Sequence, residues 1–457
     1  GVVACMDATT NHTSGTRIRN RFAVTSEGDR SWVGFIDTER NEPCSFEGLG
    51  QGIACVPESL SAFSYADPAC SQPLAHVDAD SCATVPKYAS HTILDGCTGT
   101  TSIHELGTAV TPVGPLYQRD ASGACVESPA AISGTYYALG AEIPATSFVT
   151  GESFAGGGAS RFQSYGQLGA DGSRQVDGWV DGERQDTCVL LPAEDGALRC
   201  FPFQRLRWSG YSEATCMDPV LSWTSSTCST APAPTVAWFA SSECSARYTA
   251  VAPGAPVSTL YSYAVTETGS TCTESTPEEG TSYFAQGETI PPETFFALTT
   301  VVKEDDPGRL KPAYFNSSDG GCAFDGWYDS ELGTPCSFED MPDGTRRCLP
   351  EEFRFDVVEH YTDSACTTLA SYGKINVCEG VTAPAYVRNV DYAQTCERPS
   401  VIRKVEQATL GSALPPLWFK ETATTCSPIT PNATALYLTL GPELEPSAFM
   451  AGELVTE

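Results

Sequence analysis

The chain of 457 residues lacks long apolar runs and is poor in histidine and in basic residues. No stretch approaches the ~18 consecutive apolar residues that a spanning helix needs, so we predict no membrane span. Five histidines without metal-ligand spacing do not favour a zinc site. The net charge of −31, from 57 acids and 26 bases, repels nucleic acid and anionic lipid. These shortages favour a soluble secreted protein.

Sequence windows that could hold a helix are also scarce. The 40 glycines and 32 prolines are spaced so that few windows could contain ten helical residues. Short segments of alternating polarity, separated by regular turn signals, are typical of β-strands. The predicted fold class is therefore all-β.

The sequence does contain 20 cysteines, and 18 of them form a six-cysteine frame that occurs three times. Successive gaps are 11, 15, 12, 15 and 28 residues in the first copy, 12, 16, 12, 16 and 28 in the second, and 12, 18, 12, 18 and 30 in the third. An even number at repeated spacings indicates disulfides formed in an oxidising compartment, either extracellular or at the outer cell surface. The frame consists of Cys44, Cys55, Cys70, Cys82, Cys97 and Cys125, then Cys188, Cys200, Cys216, Cys228, Cys244 and Cys272, then Cys336, Cys348, Cys366, Cys378, Cys396 and Cys426.

We expect cysteines that are neighbours in the frame to pair with each other. Asp-Gly hairpin signals lie between the first two cysteines at Asp195-Gly196 and Asp343-Gly344. A 12-residue gap recurs between the third and fourth cysteines, which is again a hairpin distance. The predicted bonds are Cys44–Cys55, Cys70–Cys82, Cys97–Cys125, Cys188–Cys200, Cys216–Cys228, Cys244–Cys272, Cys336–Cys348, Cys366–Cys378 and Cys396–Cys426.

The repeat divides the chain into an N-terminal arm and three copies, with predicted ranges 1–16, 17–160, 161–308 and 309–457. Roughly ten to twelve short strands per copy allow two architectures: a closed, β-propeller-like ring, or three tandem β-sandwich domains. Cys5 and Cys322 stand outside the frame. A Cys5–Cys322 bond would tie the arm to the last copy, and this favours a ring around a common axis.

Four sequence blocks recur with the frame, among them GWYDSELGTPCSF ending in Cys348-Leu-Pro, and YTDSAC at 361–366. The first copy departs at Phe35, where the other two have tryptophan, and the second at Val189-Leu190 in place of Ser-Phe. This pattern, over about residues 17–455, resembles an uncharacterised family of cysteine-rich exported proteins that includes surface proteins and lipoproteins of myxobacteria. The resemblance implies no activity and assigns no functional residue.

The recurring acids are the best candidates for polar sites. Asp37, Asp181 and Asp329 occupy matched positions in hairpins, where a carboxylate caps backbone N–H groups. Calcium binding, which needs six to eight oxygens, is the alternative. A second matched set lies two residues after a tyrosine and is interpreted as turn acids: Asp67, Glu213 and Asp363.

Matched aromatic residues allow two interpretations. They could form a sugar-binding surface, but recurrence at equivalent positions favours a core role. The residues concerned are Tyr117, Trp179, Tyr261, Trp327 and Trp418.

No motif of a catalytic or cofactor site is present: the sequence has no HExxH, no GxSxG and no phosphate loop, so we assign no catalytic, cofactor or metal residue. The leading hypothesis is a non-enzymatic extracellular protein with a structural, adhesive or self-assembling role. Its partners would be further copies of itself, in an oligomer or filament, or surface glycans. The alternatives are a carbohydrate- or calcium-binding module and a secreted hydrolase on a β-propeller.

Overall fold

A computed structural model describes most of the chain. The described residues are 9–78, 84–95, 97–120, 123–128, 133–225, 232–240, 247–266, 269–341, 345–350, 359–376, 383–389, 401–420 and 425–457. Apart from four single-turn 3₁₀ helices, their regular structure is all strand, which confirms the all-β prediction. No helix in these ranges is long and apolar enough to cross a membrane.

Fifteen strands, numbered in chain order, form one closed, hydrogen-bonded ring. Each copy supplies five of them, and the first ring strand starts at Ile18, Phe162 and Leu310, each one residue into its predicted copy. The first set is β1 (Ile18–Thr25), β2 (Arg30–Asp37), β3 (Glu42–Leu49), β4 (Gly52–Val56) and β12 (Thr150–Ala155). The second is β13 (Phe162–Gly169), β14 (Arg174–Asp181), β15 (Asp186–Pro192), β16 (Leu198–Pro202) and β24 (Ala297–Val302). The third is β25 (Leu310–Ser317), β26 (Cys322–Asp329), β27 (Thr334–Asp340), β28 (Arg346–Pro350) and β37 (Ala451–Thr456).

The remaining strands of each copy lie between its fourth and fifth ring strands and form appended sheets. The first comprises β5 (Ser59–Tyr65), β6 (Pro73–Asp78), β7 (Tyr88–Asp95), β8 (Thr98–Val110), β9 (Tyr117–Arg119), β10 (Cys125–Glu127) and β11 (Gly134–Glu142). The second comprises β17 (Arg207–Tyr211), β18 (Pro219–Thr224), β19 (Ala237–Ala240), β20 (Tyr248–Pro256), β21 (Leu260–Thr266), β22 (Gly269–Ser275) and β23 (Thr281–Ile290). The third is split into two four-stranded sheets: β29 (His360–Tyr361), β30 (Leu369–Ser371), β34 (Leu417–Lys420) and β35 (Cys426–Ile429), and β31 (Gly373–Asn376), β32 (Tyr386–Asn389), β33 (Val401–Leu410) and β36 (Ala435–Glu443).

The first appended sheet closes on itself. Its order is β10-β9-β5-β6-β11-β8-β7, and β7 also pairs in parallel with β5. The second sheet repeats this contact as a single parallel bridge between Leu206 and Ala237. A one-residue irregularity interrupts the β5–β6 ladder, and another interrupts the β17–β18 ladder, so the first two copies share this detail as well.

The strand order confirms closure of the chain into a ring, because β37 of the last copy pairs with β1 of the first. It does not show the separate blades of a propeller, since all three copies join one continuous sheet. Nor are the copies tandem sandwiches, because β12 pairs with β13 and β24 with β25 across the boundaries between copies.

Three disulfides lie in the ring between adjacent strands, as the spacing predicts. They are Cys44–Cys55, Cys188–Cys200 and Cys336–Cys348. Each packs in a core cluster with aromatic residues, for example with Phe35 and Phe46 in the first copy. Trp179 and Trp327 belong to the equivalent clusters of the other two copies, in agreement with a core role.

The predicted pairing of the later cysteines is wrong. The third cysteine of each copy bonds to the sixth, so Cys70–Cys82, Cys97–Cys125, Cys216–Cys228, Cys244–Cys272, Cys366–Cys378 and Cys396–Cys426 do not form. The observed bonds are Cys70–Cys125, Cys216–Cys272 and Cys366–Cys426.

The reason for this pairing is tertiary. Cys70 lies in the turn between β5 and β6 rather than on a strand, so a 12-residue gap does not place it opposite a hairpin partner. The β9–β10 hairpin instead returns beside the end of β5, where Tyr65 pairs with Tyr117. This brings Cys125, at the start of β10, to the turn. Cys97 is also disulfide-bonded, while Cys82, Cys228, Cys244, Cys378 and Cys396 lie outside the described residues.

Candidate functional sites in the ring and the appended sheets

Each copy contains one buried ion pair between an arginine that precedes its first ring strand and the matched hairpin aspartate. Nε and Nη2 of Arg309 lie 2.8 and 2.7 Å from the two carboxylate oxygens of Asp329, and Arg17–Asp37 and Arg161–Asp181 repeat this bidentate geometry. All three aspartates are almost fully buried. The hydrogen bonds that Arg309 donates to Asp329 raise the pKa of Arg309, which keeps the guanidinium charged.

The same aspartates cap their hairpins, as the sequence predicts. Oδ1 of Asp329 accepts backbone N–H groups from Glu331 at 3.0 Å and Leu332 at 3.2 Å, and Asp37 and Asp181 accept the equivalent pairs. The arginine partner was missed. The sequence does contain a signal for this ion pair, because Arg17, Arg161 and Arg309 each lie 20 residues before the aspartate to which they bind.

The three copies contact one another in a cycle. The backbone N–H of Arg17, at the start of the first copy, donates to Asp171 of the second at 2.9 Å. The equivalent N–H of Arg161 donates to Asp319 of the third copy at 2.5 Å, and that of Arg309 donates to Glu27 of the first at 2.7 Å. Each acceptor lies in the turn between the first two ring strands of its copy. The copies therefore surround a common axis, as we expected.

The acids in these turns differ in the direction in which their pKa values are shifted. Burial alone would raise the pKa of Asp171, but hydrogen bonds from Ser173 and from the backbone of Ile18 and Arg17 lower it. Hydrogen bonds likewise outweigh burial at Asp319 and lower its pKa by a larger amount. At the third junction, burial and the nearby Glu27 and Asp306 raise the pKa of Asp29. Asp29 lies in the same turn as the acceptor Glu27, and a hydrogen bond from Thr25 partly offsets the rise in its pKa.

The N-terminal arm contacts the second ring strand of every copy. The side-chain amide of Asn11 donates to the carbonyl of Phe324 at 2.9 Å and accepts its N–H at 3.2 Å. Thr13 pairs with Arg174 through two backbone hydrogen bonds. The ring of His12 stacks on Trp32 with a centroid distance of 3.5 Å. The arm thus fixes the three copies to one another.

His12 is held as a neutral acceptor. Its Nδ1 accepts the backbone N–H of Val176 at 3.2 Å. Burial lowers the pKa of His12 to about 4; the nearby Asp177 acts against this shift and Arg174 adds to it. Cys322 begins the strand that contains Phe324 and is disulfide-bonded, whereas its predicted partner Cys5 lies outside the described residues.

The second set of matched acids caps the turns that carry the long-range disulfides. Asp363 accepts backbone N–H groups from Ala365 at 3.0 Å and from Thr368 at 2.6 Å, and the latter bond makes the largest contribution in lowering its pKa to about 2. Asp67 and Glu213 occupy the equivalent turns and also accept backbone N–H groups there. The turn cysteines have left-handed backbones, for example φ of 50° at Cys366. The structural interpretation of these acids is correct.

A groove of about 290 Å³ opens on the first appended sheet. Phe63 and Leu94 are exposed in it, whereas Tyr65 is buried. The guanidinium of Arg119 lies 5.7 Å from the centre of the Tyr65 ring. The third appended sheet repeats this contact, with Lys420 5.1 Å from the centre of the Tyr361 ring.

The remaining candidates are placed without forming a cluster. Tyr117, Tyr261 and Trp418 are half-buried and pair with Tyr65, Tyr211 and Tyr361, respectively, on neighbouring strands. Within the described ranges, no group of three or more His, Cys, Asp or Glu side chains is arranged to hold a metal ion.

The fold and these sites define a disulfide-rich all-β protein in which a three-copy ring carries appended sheets. The chain belongs to a family of unknown function (DUF7481), whose profile matches residues 3–134 and 119–449. This agrees with the expected resemblance to an uncharacterised family. No curated protein and no solved structure matches the chain.

Proposed function

We propose that the protein is a non-enzymatic extracellular scaffold with a structural or adhesive role at a cell surface. The observation that supports this best is the cycle of junctions, in which Arg17, Arg161 and Arg309 each donate to the next copy. Equivalent contacts at all three boundaries make the ring a single body. A body of this kind can present the appended sheets of all three copies in fixed relative positions.

The use of the charged side chains supports the same role. The recurring acids form ion pairs with arginine or cap turns, and both kinds of contact stabilise the native fold. Exposed aromatic residues of the appended sheets, such as Phe63 on β5 and Trp208 on β17, do not recur at matched positions. Binding to surroundings, rather than turnover, fits this distribution.

Disulfides and charge support an extracellular location. Of the six described disulfides, three lie within the ring and three within the appended sheets, and such bonds persist in oxidising compartments. A net charge of −31 makes separate protein molecules repel one another unless counter-ions screen the repulsion. Self-assembly into oligomers or filaments would therefore depend on salt or on divalent cations.

The test combines a turnover screen with a measurement of assembly. Purified full-length protein is incubated with polysaccharides, esters and peptides, and the same samples are examined by electron microscopy and analytical ultracentrifugation across salt and calcium concentrations. We expect no turnover, intact ring-shaped particles, and association that increases with ionic strength. Turnover that a single carboxylate substitution abolishes would overturn the proposal.

A further inference from the structure

Exposed aromatic side chains are few in the described part of the chain, and most share one location. The aromatic residues with more than half of their surface exposed are Phe63, Phe203, Trp208 and Tyr263, at 52%, 65%, 58% and 52%, respectively. Exposed large aromatics often mark interaction sites. All but Phe203 lie in the first two appended sheets: Phe63 and Trp208 on the equivalent strands β5 and β17, and Tyr263 on β21, the neighbour of β17.

In the first appended sheet, residues of β5, β7 and β9 line an amphipathic groove. Phe63 and Leu94 provide apolar surface, while Arg119 and Asp120 lie in the same groove. The hydroxyls of Ser61, Ser90 and Thr92 complete its lining. Arg119 is held over Tyr65 and donates to the carbonyl of Gly123 at 2.9 Å, so its guanidinium is positioned before any ligand binds.

In the second appended sheet, the equivalent strands carry an aromatic face. Trp208 packs edge-on against Tyr211, with ring centroids 5.5 Å apart. Tyr211 pairs with Tyr261 on the next strand, and Tyr263, two residues further, projects from the same side of that strand. Tyr211 matches Tyr65 in the repeat, and Tyr263 matches Arg119. Phe63 aligns with Ser209 and Trp208 with Ala62, so the two exposed aromatic residues occupy neighbouring positions on the equivalent strands β5 and β17.

We propose that these two faces, defined by Phe63 with Arg119 and by Trp208 with Tyr263, bind a neutral polysaccharide. This inference rests on the adhesive role proposed above and specifies its ligand. A pyranose ring has an apolar face that stacks on an aromatic side chain and hydroxyls that bond to polar groups at its edge. The groove supplies both kinds of contact within one site.

Charge and repetition favour this ligand over others. With a net charge of −31, the surface repels acidic polysaccharides and anionic lipid, whereas a neutral chain meets no such barrier. Two similar faces held by one ring suit a ligand that repeats along its length, because the second contact is then intramolecular. A single apolar peptide or lipid would gain nothing from this repetition.

The test is affinity electrophoresis of the full chain in native gels that contain hydroxyethyl cellulose, laminarin or mannan. Alginate serves as the acidic probe, and flotation with phosphatidylcholine vesicles tests lipid. We expect at least one neutral polysaccharide to retard the protein. Phe63→Ala and Trp208→Ala should each weaken that binding about 3- to 10-fold, the effect of one aromatic contact. The double variant should lose more than either single variant, because avidity is lost with the second contact.

Phe203→Ala is the matched control, because Phe203 is at least as exposed and lies in the same copy. Its backbone N–H bonds to Thr187 beside the ring, away from the proposed face. An unchanged affinity in this variant supports the site. Equal losses in Phe203→Ala and Trp208→Ala, binding only to alginate or vesicles, or no retardation by any neutral probe would each overturn the inference.

Failure of this site is distinguishable from failure of the scaffold role. If no neutral probe binds while the particles remain intact and without turnover, the glycan site is wrong and the scaffold proposal stands. If a bound polysaccharide is cleaved, the site is supported and the non-enzymatic proposal is overturned.

Discussion

The ring and the appended sheets grow from the same repeated sequence, but they are cross-linked differently. Ring disulfides join adjacent strands and span 11 or 12 residues, whereas those of the appended sheets span 55 to 60. The ring also contains the buried Arg–Asp pairs and the cyclic junctions. The appended sheets contain the capped turns with the long-range disulfides and three of the exposed aromatic residues, Phe63, Trp208 and Tyr263.

This difference indicates where variation is tolerated. A ring strand must pair with two neighbours and close the sheet, so a change in one copy would disturb all three. An appended sheet lies between β4 and β12, or between their equivalents, and its strands are not part of the closed ring. Features that are not shared, such as Trp208, can arise there without cost to closure. We therefore expect stability to depend on the ring and binding to depend on the appended sheets.

The largest effect should come from removing a long-range disulfide. Replacing both Cys216 and Cys272 with alanine opens a loop of 56 residues, which the chain-entropy relation equates to about 4 kcal/mol. Removing Cys188–Cys200, with a loop of 12 residues, should cost about 3 kcal/mol. Urea unfolding of both variants measures the difference. A larger loss from the short bond would show that burial in the ring outweighs loop length.

Loss of a buried ion pair should have the next largest effect. Asp329→Ala leaves Arg309 without its buried partner, so we expect the free energy of unfolding to fall by about 3 kcal/mol. Glu331→Ala is the control, since Glu331 contacts the same arginine at 2.8 Å but is 67% exposed, and it should cost at most about 1 kcal/mol. Equal losses in thermal and urea unfolding would contradict a special role for the buried carboxylate.

Protonation of the arm should have a smaller effect. Because the folded-state pKa of His12 is about 4 and its ordinary value is 6.5, the folded state binds fewer protons between these values. The contribution of neutral His12 to the free energy of unfolding is therefore complete above pH 6.5. It declines as the pH falls towards 4, by about 2 kcal/mol for a half-buried group.

His12→Phe keeps an aromatic ring against Trp32 but cannot titrate. Urea unfolding at pH 7 and pH 4.5 should show a smaller pH-dependent loss in this variant than in the native chain. At pH 7 the variant should lose about 1 kcal/mol, because the N–H of Val176 then lacks its acceptor. An identical pH dependence in the two proteins would mean that His12 does not titrate with unfolding.

The smallest expected effect is local to an appended sheet. The turn carboxylate of Asp363 should titrate near pH 2, because backbone N–H groups stabilise its charged form. Carboxyl ¹³C chemical shifts followed by NMR measure this directly. Asp363→Asn should perturb amide signals from Ala365 to Thr368 and leave the ring signals unchanged. Shifts in the ring would show that the two regions are coupled more closely than their separate contacts indicate.

Several features follow from the sequence alone because they depend on short-range spacing. The three-copy frame, the all-β class and the ring disulfides were predicted from recurrent gaps and hairpin signals. Asp37, with its equivalents, was correctly interpreted as a hairpin cap, since the N–H groups it accepts lie only two and three residues away. Hydrogen bonds over so few residues are determined by the types of residue that follow one another in the turn.

The tertiary structure alone decided the contacts that span long stretches of chain. Cys70 meets Cys125 because β9 pairs with the end of β5 and the β9–β10 hairpin places Cys125 beside the turn that contains Cys70. Arg17 meets Asp171 because the ring brings the start of one copy to the turn of the next. Spacing cannot encode such contacts, since they depend on which strands become neighbours when the sheet closes. For the same reason, the exposure of Phe63 and Trp208 is a property of the folded chain that their sequence neighbours do not indicate.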